Sequence, residues 1–461
     1  MTTRFFKLDE DEKAQRRQEV QDWLAEPGNN FCSMPYAHMA IEANGAIRPC
    51  CIGKPFDYTV AGGTIDQAFN HPIRKEFVDA FDRNEQHPNC SDCWKDPSNK
   101  YNARLKFSTN DDMIEFTEAI MEGAKPERKL RWLEVKPGNR CNLKCRICGV
   151  HNSSQWTKDY WASVEYLNSQ NEGFEEVKTS FKDSKEFAYT QSCEWIDEPD
   201  IWADVTSMEG IQMIHFMGGE PFMVPEHFQL LQALVDNPDI DTSQIYIRYN
   251  TNGTYFPTQE NLDLWSKFLR VLFLISVDDI GEKFEYQRKL AHWDEVKENL
   301  IKFHELQENS WDDASQVWKV RAKIDPTISI FNIWNLQEIS DEFHRLGHPV
   351  DARMNHFVTG GWNDCRVLPN PVKEIIAERA KDTKCSWVKQ GISYMLQDPL
   401  PNKMHDITLF YKTMMFQDHL RDEKFVNLWP ELYHLITPYI NWSKVNQYKN
   451  YKETKYEQKN T

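Results

Sequence analysis

From about residue 130 the chain alternates short β-rich runs with amphipathic helical stretches, and this rhythm restricts the fold more than any other feature. LRWLEV (130–135) reads as a strand, followed by a cysteine-bearing loop and a helix through SQWTKDYWASVEYL. IQMIHF (211–216), QIYIRYN (244–250), VLFLISVDD (271–279), VWKVRAKID (317–325) and DARMNHFV (351–358) supply five more strands. The helical stretches between them include PEHFQLLQALVDN, LDLWSKFLR, WDEVKENLIKFHEL and NIWNLQEISDEFHRLG, the last closed by Gly347 at the expected stop position. Six strand–helix repeats predict parallel strands joined by helical crossovers. Six is short of the eight in a closed barrel, so the predicted fold is α/β, a partial (β/α)6 TIM-type barrel. A doubly wound open sheet is the alternative that the pattern leaves open.

Residues 170–209 interrupt the rhythm with a charged stretch, read as an insertion. The tail beyond Gly361 has helical pieces and ends in a polar run. The expected organisation is a small cysteine-rich hairpin and helix domain over 1–110, the barrel over 111–360 and a helical extension over 361–461.

The net charge of -17 argues against binding a phosphate backbone, which needs clustered Lys and Arg. No apolar run approaches a membrane span, and MTTRFFKLDEDEKAQRRQEV lacks the apolar core of a secretory signal. A soluble, cytoplasmic protein with neither nucleic acid nor membrane as partner is expected.

In a reducing compartment, clustered thiols bind metal or do chemistry more often than they pair. Eight of the eleven cysteines fall in two groups. PGNRCNLKCRICG places Cys141, Cys145 and Cys148 just beyond the first barrel strand, at the end where strand–helix barrels build active sites. Three thiolates on a four-iron cube leave one iron open to a small molecule. A zinc site completed by His151, or three unliganded thiols, are the competing readings.

In the second group, PYAHMAIEANGAIRPCC reads as a β-hairpin turning at Asn44-Gly45, the preferred type I′ dipeptide. It carries Cys32, Cys50 and Cys51 near its ends, and Cys90-Ser-Asp-Cys93 follows a helical stretch. Cys32, Cys50, Cys90 and Cys93 are enough to ligate a second [4Fe-4S] cluster in full, with Cys51 a spare or a swap candidate. Zinc is the alternative for this set also. Cys193, Cys365 and Cys385 stand alone.

Cys141-x3-Cys145-x2-Cys148 resembles the signature of the radical S-adenosylmethionine (SAM) superfamily. The resemblance implies that these cysteines hold a catalytic [4Fe-4S] cluster whose open iron binds SAM. It further implies reductive cleavage of SAM to methionine and a 5′-deoxyadenosyl radical, which abstracts a substrate hydrogen. Ile147 stands where the family usually has an aromatic residue near the adenine.

Gly218-Gly219-Glu220-Pro221 resembles the family's GGEP motif, which holds the methionine amino group. Asn250-Thr251-Asn252-Gly253 is similar to its TNG segment. Ser276-Val277-Asp278 is similar to its S-x-D segment, and Arg288 sits where related enzymes place an arginine for the SAM carboxylate. Together these predict cofactor contacts from Ile147, Gly218, Gly219, Glu220, Pro221, Asn250, Asn252, Ser276, Asp278 and Arg288.

The hairpin cysteines with Cys90-x2-Cys93 resemble the SPASM/twitch extensions that carry auxiliary clusters, although such extensions usually follow the barrel. Cys365 or Cys385 is a substitute ligand if the tail folds back. The implied function is a radical SAM enzyme acting on a peptide or protein, with an auxiliary cluster assisting electron transfer. An external donor such as flavodoxin or ferredoxin is implied too. Alternatives are a radical SAM dehydrogenase of a small alcohol or sugar, and a non-catalytic iron–sulfur or zinc scaffold. Lys323, Asp325, Arg353 and Asn355, on late strands, are candidate substrate contacts.

Overall fold

The computed structural model describes residues 8–95, 103–110, 113–169, 194–203, 205, 208–313, 317–350, 356–398, 407–443 and 445. Thirteen strands occur among them, in chain order β1 (His38–Ile41), β2 (Ile47–Arg48), β3 (Trp132–Val135), β4 (Lys144–Cys145), β5 (Met213–Phe216), β6 (Tyr246–Thr251), β7 (Arg270–Ile275), β8 (Arg288–Lys289), β9 (Trp311–Asp312), β10 (Val317–Trp318), β11 (Val320–Ile324), β12 (Thr327–Ile328) and β13 (His356–Phe357).

Seven strands form one sheet in the order β11-β7-β6-β5-β3-β1-β2. β3, β5, β6, β7 and β11 are parallel, each beside its sequence neighbour, with helices in the crossovers. This is the partial barrel that the strand–helix repeat predicts. The sixth predicted strand behaves differently, because β13 pairs in parallel with β12 in a separate two-stranded sheet. Residues 351–355 of that prediction, and most of the 170–209 insertion, lie outside the described residues.

The period of two fixes which side chains look into the barrel. On β6, Tyr249 packs against Phe216, Phe273 and Trp265 of helix Gln259–Trp265, on the helix side of the sheet. Its neighbours Arg248 and Asn250 therefore face the other way. A 2.6 Å hydrogen bond between Asn250 and His215 of β5 fixes that face as the lumen.

The hairpin β1–β2 is present, with Ile41 opposite Ile47. Its turn is not type I′, since that needs a positive φ at both central residues. Only Gly45 has one, at 79°, and its N–H donates to the Glu42 carbonyl at 2.8 Å while the Glu42 N–H donates to Ala46. The loop is thus one residue longer than Asn-Gly alone suggests, with glycine in the left-handed position. Beyond the turn, β1 pairs in parallel with β3 over four residues, so the N-terminal cysteine segment extends the barrel sheet itself. Arg74, buried, holds this arrangement by donating to the carbonyls of Pro35, His38 and Phe69.

Among the described residues no helix is long and apolar enough to cross a membrane.

Candidate active site

The loop after β3 is held in shape by side chains that bond its own backbone. Asn139 Nδ2 donates to the Val150 carbonyl at 2.8 Å, and the Ser154 N–H donates to the Asn139 carbonyl at 2.7 Å. Ser153 Oγ donates to the Leu143 carbonyl, and Trp156 Nε1 to that of Cys145 at 2.9 Å. The loop also pairs with the chain after β7, because β4 and β8 match Cys145 with Arg288. The Arg146 N–H donates to the Gln287 carbonyl at 2.7 Å. Arg288 therefore lies just past helix Gly281–Gln287 in extended backbone. That change of conformation turns its side chain toward the thiols.

Cys141, Cys145 and Cys148 converge, each within electrostatic reach of at least one of the others. Burial pushes the Cys141 thiol up to about 11 and that of Cys148 up to about 12, and the neighbouring thiols add to both shifts. A cationic centre bound among the three would lower them again and take them as thiolates. Asn252 Nδ2 lies 3.9 Å from the Cys141 sulfur, and Arg288 Nη1 lies 3.8 Å from that of Cys145. Burial is the main cause that lowers the pKa of His151, with Lys136 adding to it and Glu42 opposing.

The GGEP segment lies against the loop. Gly219 donates its N–H to the Gly138 carbonyl at 3.3 Å, and the Glu220 N–H donates to the Arg140 carbonyl at 2.8 Å. A Cβ on Gly219 would stand 2.2 Å from the Arg140 carbonyl oxygen, so only glycine permits this approach. Gly218, at φ 111°, crosses over Lys136 and the Gly138 carbonyl.

Glu220 is fully buried, and its carboxylate accepts from Thr251 Oγ1 at 3.0 Å and from the Asn252 N–H at 2.8 Å. The Phe222 N–H, at 3.3 Å, is a further donor. Among the described residues no cation forms an ion pair with it, and burial pushes the carboxyl up to about 7 against the pull of these donors. A carboxylate so placed fits an arriving ammonium group.

Asp278 is paired to Arg288, Nη2 to Oδ2 at 2.8 Å, and accepts from the Thr327 N–H at 2.9 Å. Ser276 is half-buried beside them and donates its N–H to the Thr251 carbonyl at 2.8 Å. The structure thus gathers Gly218, Gly219, Glu220, Asn252, Asp278 and Arg288 around the three thiols. Pro221 is buried behind Glu220, and Ile147 is half-buried within the loop. Asn250 instead turns to His215 in the lumen. Thr251, not singled out in the sequence, supplies the hydroxyl to Glu220, and its place inside the Asn-Thr-Asn-Gly run was the available signal.

The N-terminal set also comes together. Cys32 senses Cys50 and Cys93, and Cys90 senses Cys32, Cys50 and Cys93. Burial is the main cause of the raised thiol at each of the four. Cys51 is exposed at the surface. Cys365 and Cys385 lie in the helical C-terminal region, the first beside Asp364 and Arg366 and the second accepting from Ser340. Cys193 lies outside the described residues, as do Arg353 and Asn355. Lys323 is half-buried on β11, and Asp325, buried, pairs with His356 at 3.3 Å. Among the described residues no three His, Cys, Asp or Glu side chains are drawn tightly enough to hold a single metal ion. The ligands of a cluster, spread over its corners, do not need that closeness.

Residues 135–313 match the family model described as the Radical SAM superfamily, and residues 32–94 match SPASM, an iron–sulfur cluster-binding domain. A GTP 3′,8-cyclase of Syntrophomonas wolfei is 26% identical over 187 residues, which cover 40% of this chain and 45% of that protein. The chain therefore spans less than half the length of this curated relative. Among solved structures, native anSMEcpe with bound AdoMet is similar at 15% identity and a TM-score of 0.33, over 64% of this chain and 62% of that one. The same enzyme with AdoMet and the Cp18Cys peptide is similar at 19% identity and a TM-score of 0.29, over 49% of this chain and 50% of that one. SuiB of Streptococcus suis bound to S-adenosylmethionine gives 12% identity and a TM-score of 0.27, over 70% of this chain and 71% of that one. At such scores the likeness establishes no shared detail.

Proposed function

We propose, from the premise that this chain belongs to the radical SAM superfamily and carries an N-terminal SPASM domain, that it cleaves SAM reductively and abstracts a hydrogen from a peptide or protein side chain. The cofactors of such an enzyme are [4Fe-4S] clusters and SAM. In this reading Cys141, Cys145 and Cys148 hold the SAM-binding cluster, while Cys32, Cys50, Cys90 and Cys93 hold a second one that assists electron transfer. When bound, the first cluster supplies the single electron that splits SAM into methionine and a 5′-deoxyadenosyl radical.

The observation that carries the reading is Glu220, a buried carboxylate without a counter-cation among the described residues, joined through Asn252 to Cys141. Glu220 receives the methionine ammonium, and Thr251 and the Asn252 N–H hold its oxygens still. Arg288 offers a guanidinium to the methionine carboxylate, and Asp278 fixes its direction. The glycines at 218 and 219 let the backbone come close, and the Ile147 segment lines the adenine side. A flavodoxin or ferredoxin is the proposed reductant. The likeness to a GTP 3′,8-cyclase favours a small-molecule substrate as the second reading. Arg248 suits it: this lumen-facing cation makes no hydrogen bond through its Nε among the described residues.

Anaerobically reconstituted protein, reduced with dithionite and given SAM, is expected to release 5′-deoxyadenosine on chromatography. Full iron loading without any such product rejects catalysis and favours the scaffold reading. A rise in product with added peptide favours the first substrate class, and a rise with added nucleotide favours the second.

A further inference from the structure

The C-terminal helix Ile407–Arg421 lies outside both family matches, yet it grips the strand that carries Cys145. Arg146, wholly buried between Cys145 and Cys148, is bound by Asp418 at 2.7 Å and by Glu423 at 2.6 Å. Gln417 accepts from it at 3.2 Å, and the Tyr286 ring lies 3.6 Å from its guanidinium carbon. Tyr286 in turn donates its hydroxyl to Asp418 at 2.7 Å. On the other side of Cys145, Lys144 is paired to Asp159 at 2.7 Å.

Between these contacts sits Arg421, its side chain entirely buried. Its Nε lies 3.4 Å from Asp159 Oδ2, and its guanidinium lies 4.6 Å from the Trp156 ring, the same tryptophan that bonds the Cys145 carbonyl. None of its three nitrogens makes a hydrogen bond among the described residues. A buried guanidinium held, among the described residues, by one loose carboxylate, a ring face and the more distant charge of Glu423 is costly, and a pair built for stability alone would be bidentate. Burial and the neighbouring Arg146 bring its pKa down to about 10, so it remains charged at neutral pH. Through Trp156, which bonds the Cys145 carbonyl, and beside Arg146, that charge is held against the Cys145 segment.

We infer that Arg421 is a positioning residue of the C-terminal helix whose positive charge and unused N–H groups serve the cluster at Cys145, raising the potential at which it accepts an electron. Potentials of such clusters follow nearby charge and hydrogen bonds to sulfur. Asp159, the counter-charge, opposes this effect. The inference rests on the reading of Cys141, Cys145 and Cys148 as cluster ligands.

The test is an EPR-monitored redox titration of the reconstituted full-length protein and of Arg421→Met, Arg421→Lys and Asp159→Asn. Arg421→Met is expected to lower the midpoint potential, Arg421→Lys to return it toward the wild-type value, and Asp159→Asn to raise it. A merely structural role for the pair would move Arg421→Met and Asp159→Asn in the same direction. Shifts of one sign, or no shift in either at full iron content, overturn the inference. If Arg421→Met does not retain iron, Asp159→Asn decides: an upward shift sustains the inference, and any other value overturns it. Loss of the cluster from both variants marks a purely structural contact and overturns it too. A Cys145→Ala protein that keeps the SAM-responsive signal refutes the ligand assignment instead, so the two failures are distinguishable.

Discussion

The triple variant Cys141→Ala/Cys145→Ala/Cys148→Ala forms no 5′-deoxyadenosine from SAM, yet keeps about four of the roughly eight irons expected of two cubane clusters. The two thiol sets are separate constellations on one chain. Cys32, Cys50, Cys90 and Cys93 act electrostatically on each other, while Cys141 and Cys148 respond to their own neighbours and to Glu220 or Arg288. Removing one set therefore leaves the ligands of the other in place. Iron analysis together with chromatography of the reaction reads both halves of the prediction. Zinc and no iron in the triple variant would show that the N-terminal set holds a different metal.

Gly219→Ala is expected to weaken SAM binding sharply with a single methyl group. The added carbon meets the Arg140 carbonyl oxygen at 2.2 Å and the Arg140 and Asn139 carbonyl carbons at 2.8 and 2.9 Å. All three atoms are backbone in the loop immediately before Cys141, so no side-chain rotation relieves the contact. Either the GGEP segment retreats, taking Glu220 from the Arg140 carbonyl and from Asn252, or the cluster loop moves. Either movement separates the ammonium-binding carboxylate from the thiols. An affinity loss of about 100-fold, equal to about 2.7 kcal/mol, is expected from SAM titration of the reconstituted protein. Wild-type affinity in Gly219→Ala would mean that SAM does not sit between these two segments.

Much of this site was legible in the sequence because its parts are local. The CxxxCxxC loop, GGEP and the Asn-Thr-Asn-Gly run each lie at the end of a strand whose apolar pattern is plain, and parallel crossovers bring strand ends to one edge. What escaped was non-local. Alternation shows that residues 38–41 form a strand, but says nothing of its pairing with Trp132–Val135, which merges the N-terminal segment with the barrel sheet.

Arg146 reads as a charged loop residue. Its partners Asp418 and Glu423 lie more than 270 positions away, on and just past a helix with no recognisable motif. Arg288 follows a helical pattern, and only its pairing with Cys145 turns it into extended backbone. The Asn44-Gly45 turn was correct in place and wrong in type, because the loop length depends on where the β1–β2 ladder stops.

The central claim is that three cysteines leave one corner of a cluster open to SAM. Its most direct measurement is the EPR spectrum of the dithionite-reduced, reconstituted protein before and after SAM is added. The account predicts a changed g-tensor with SAM in the wild type and in the quadruple variant Cys32→Ala/Cys50→Ala/Cys90→Ala/Cys93→Ala, and none when Cys141, Cys145 and Cys148 are replaced. A fully loaded wild-type protein whose spectrum is indifferent to SAM would contradict it.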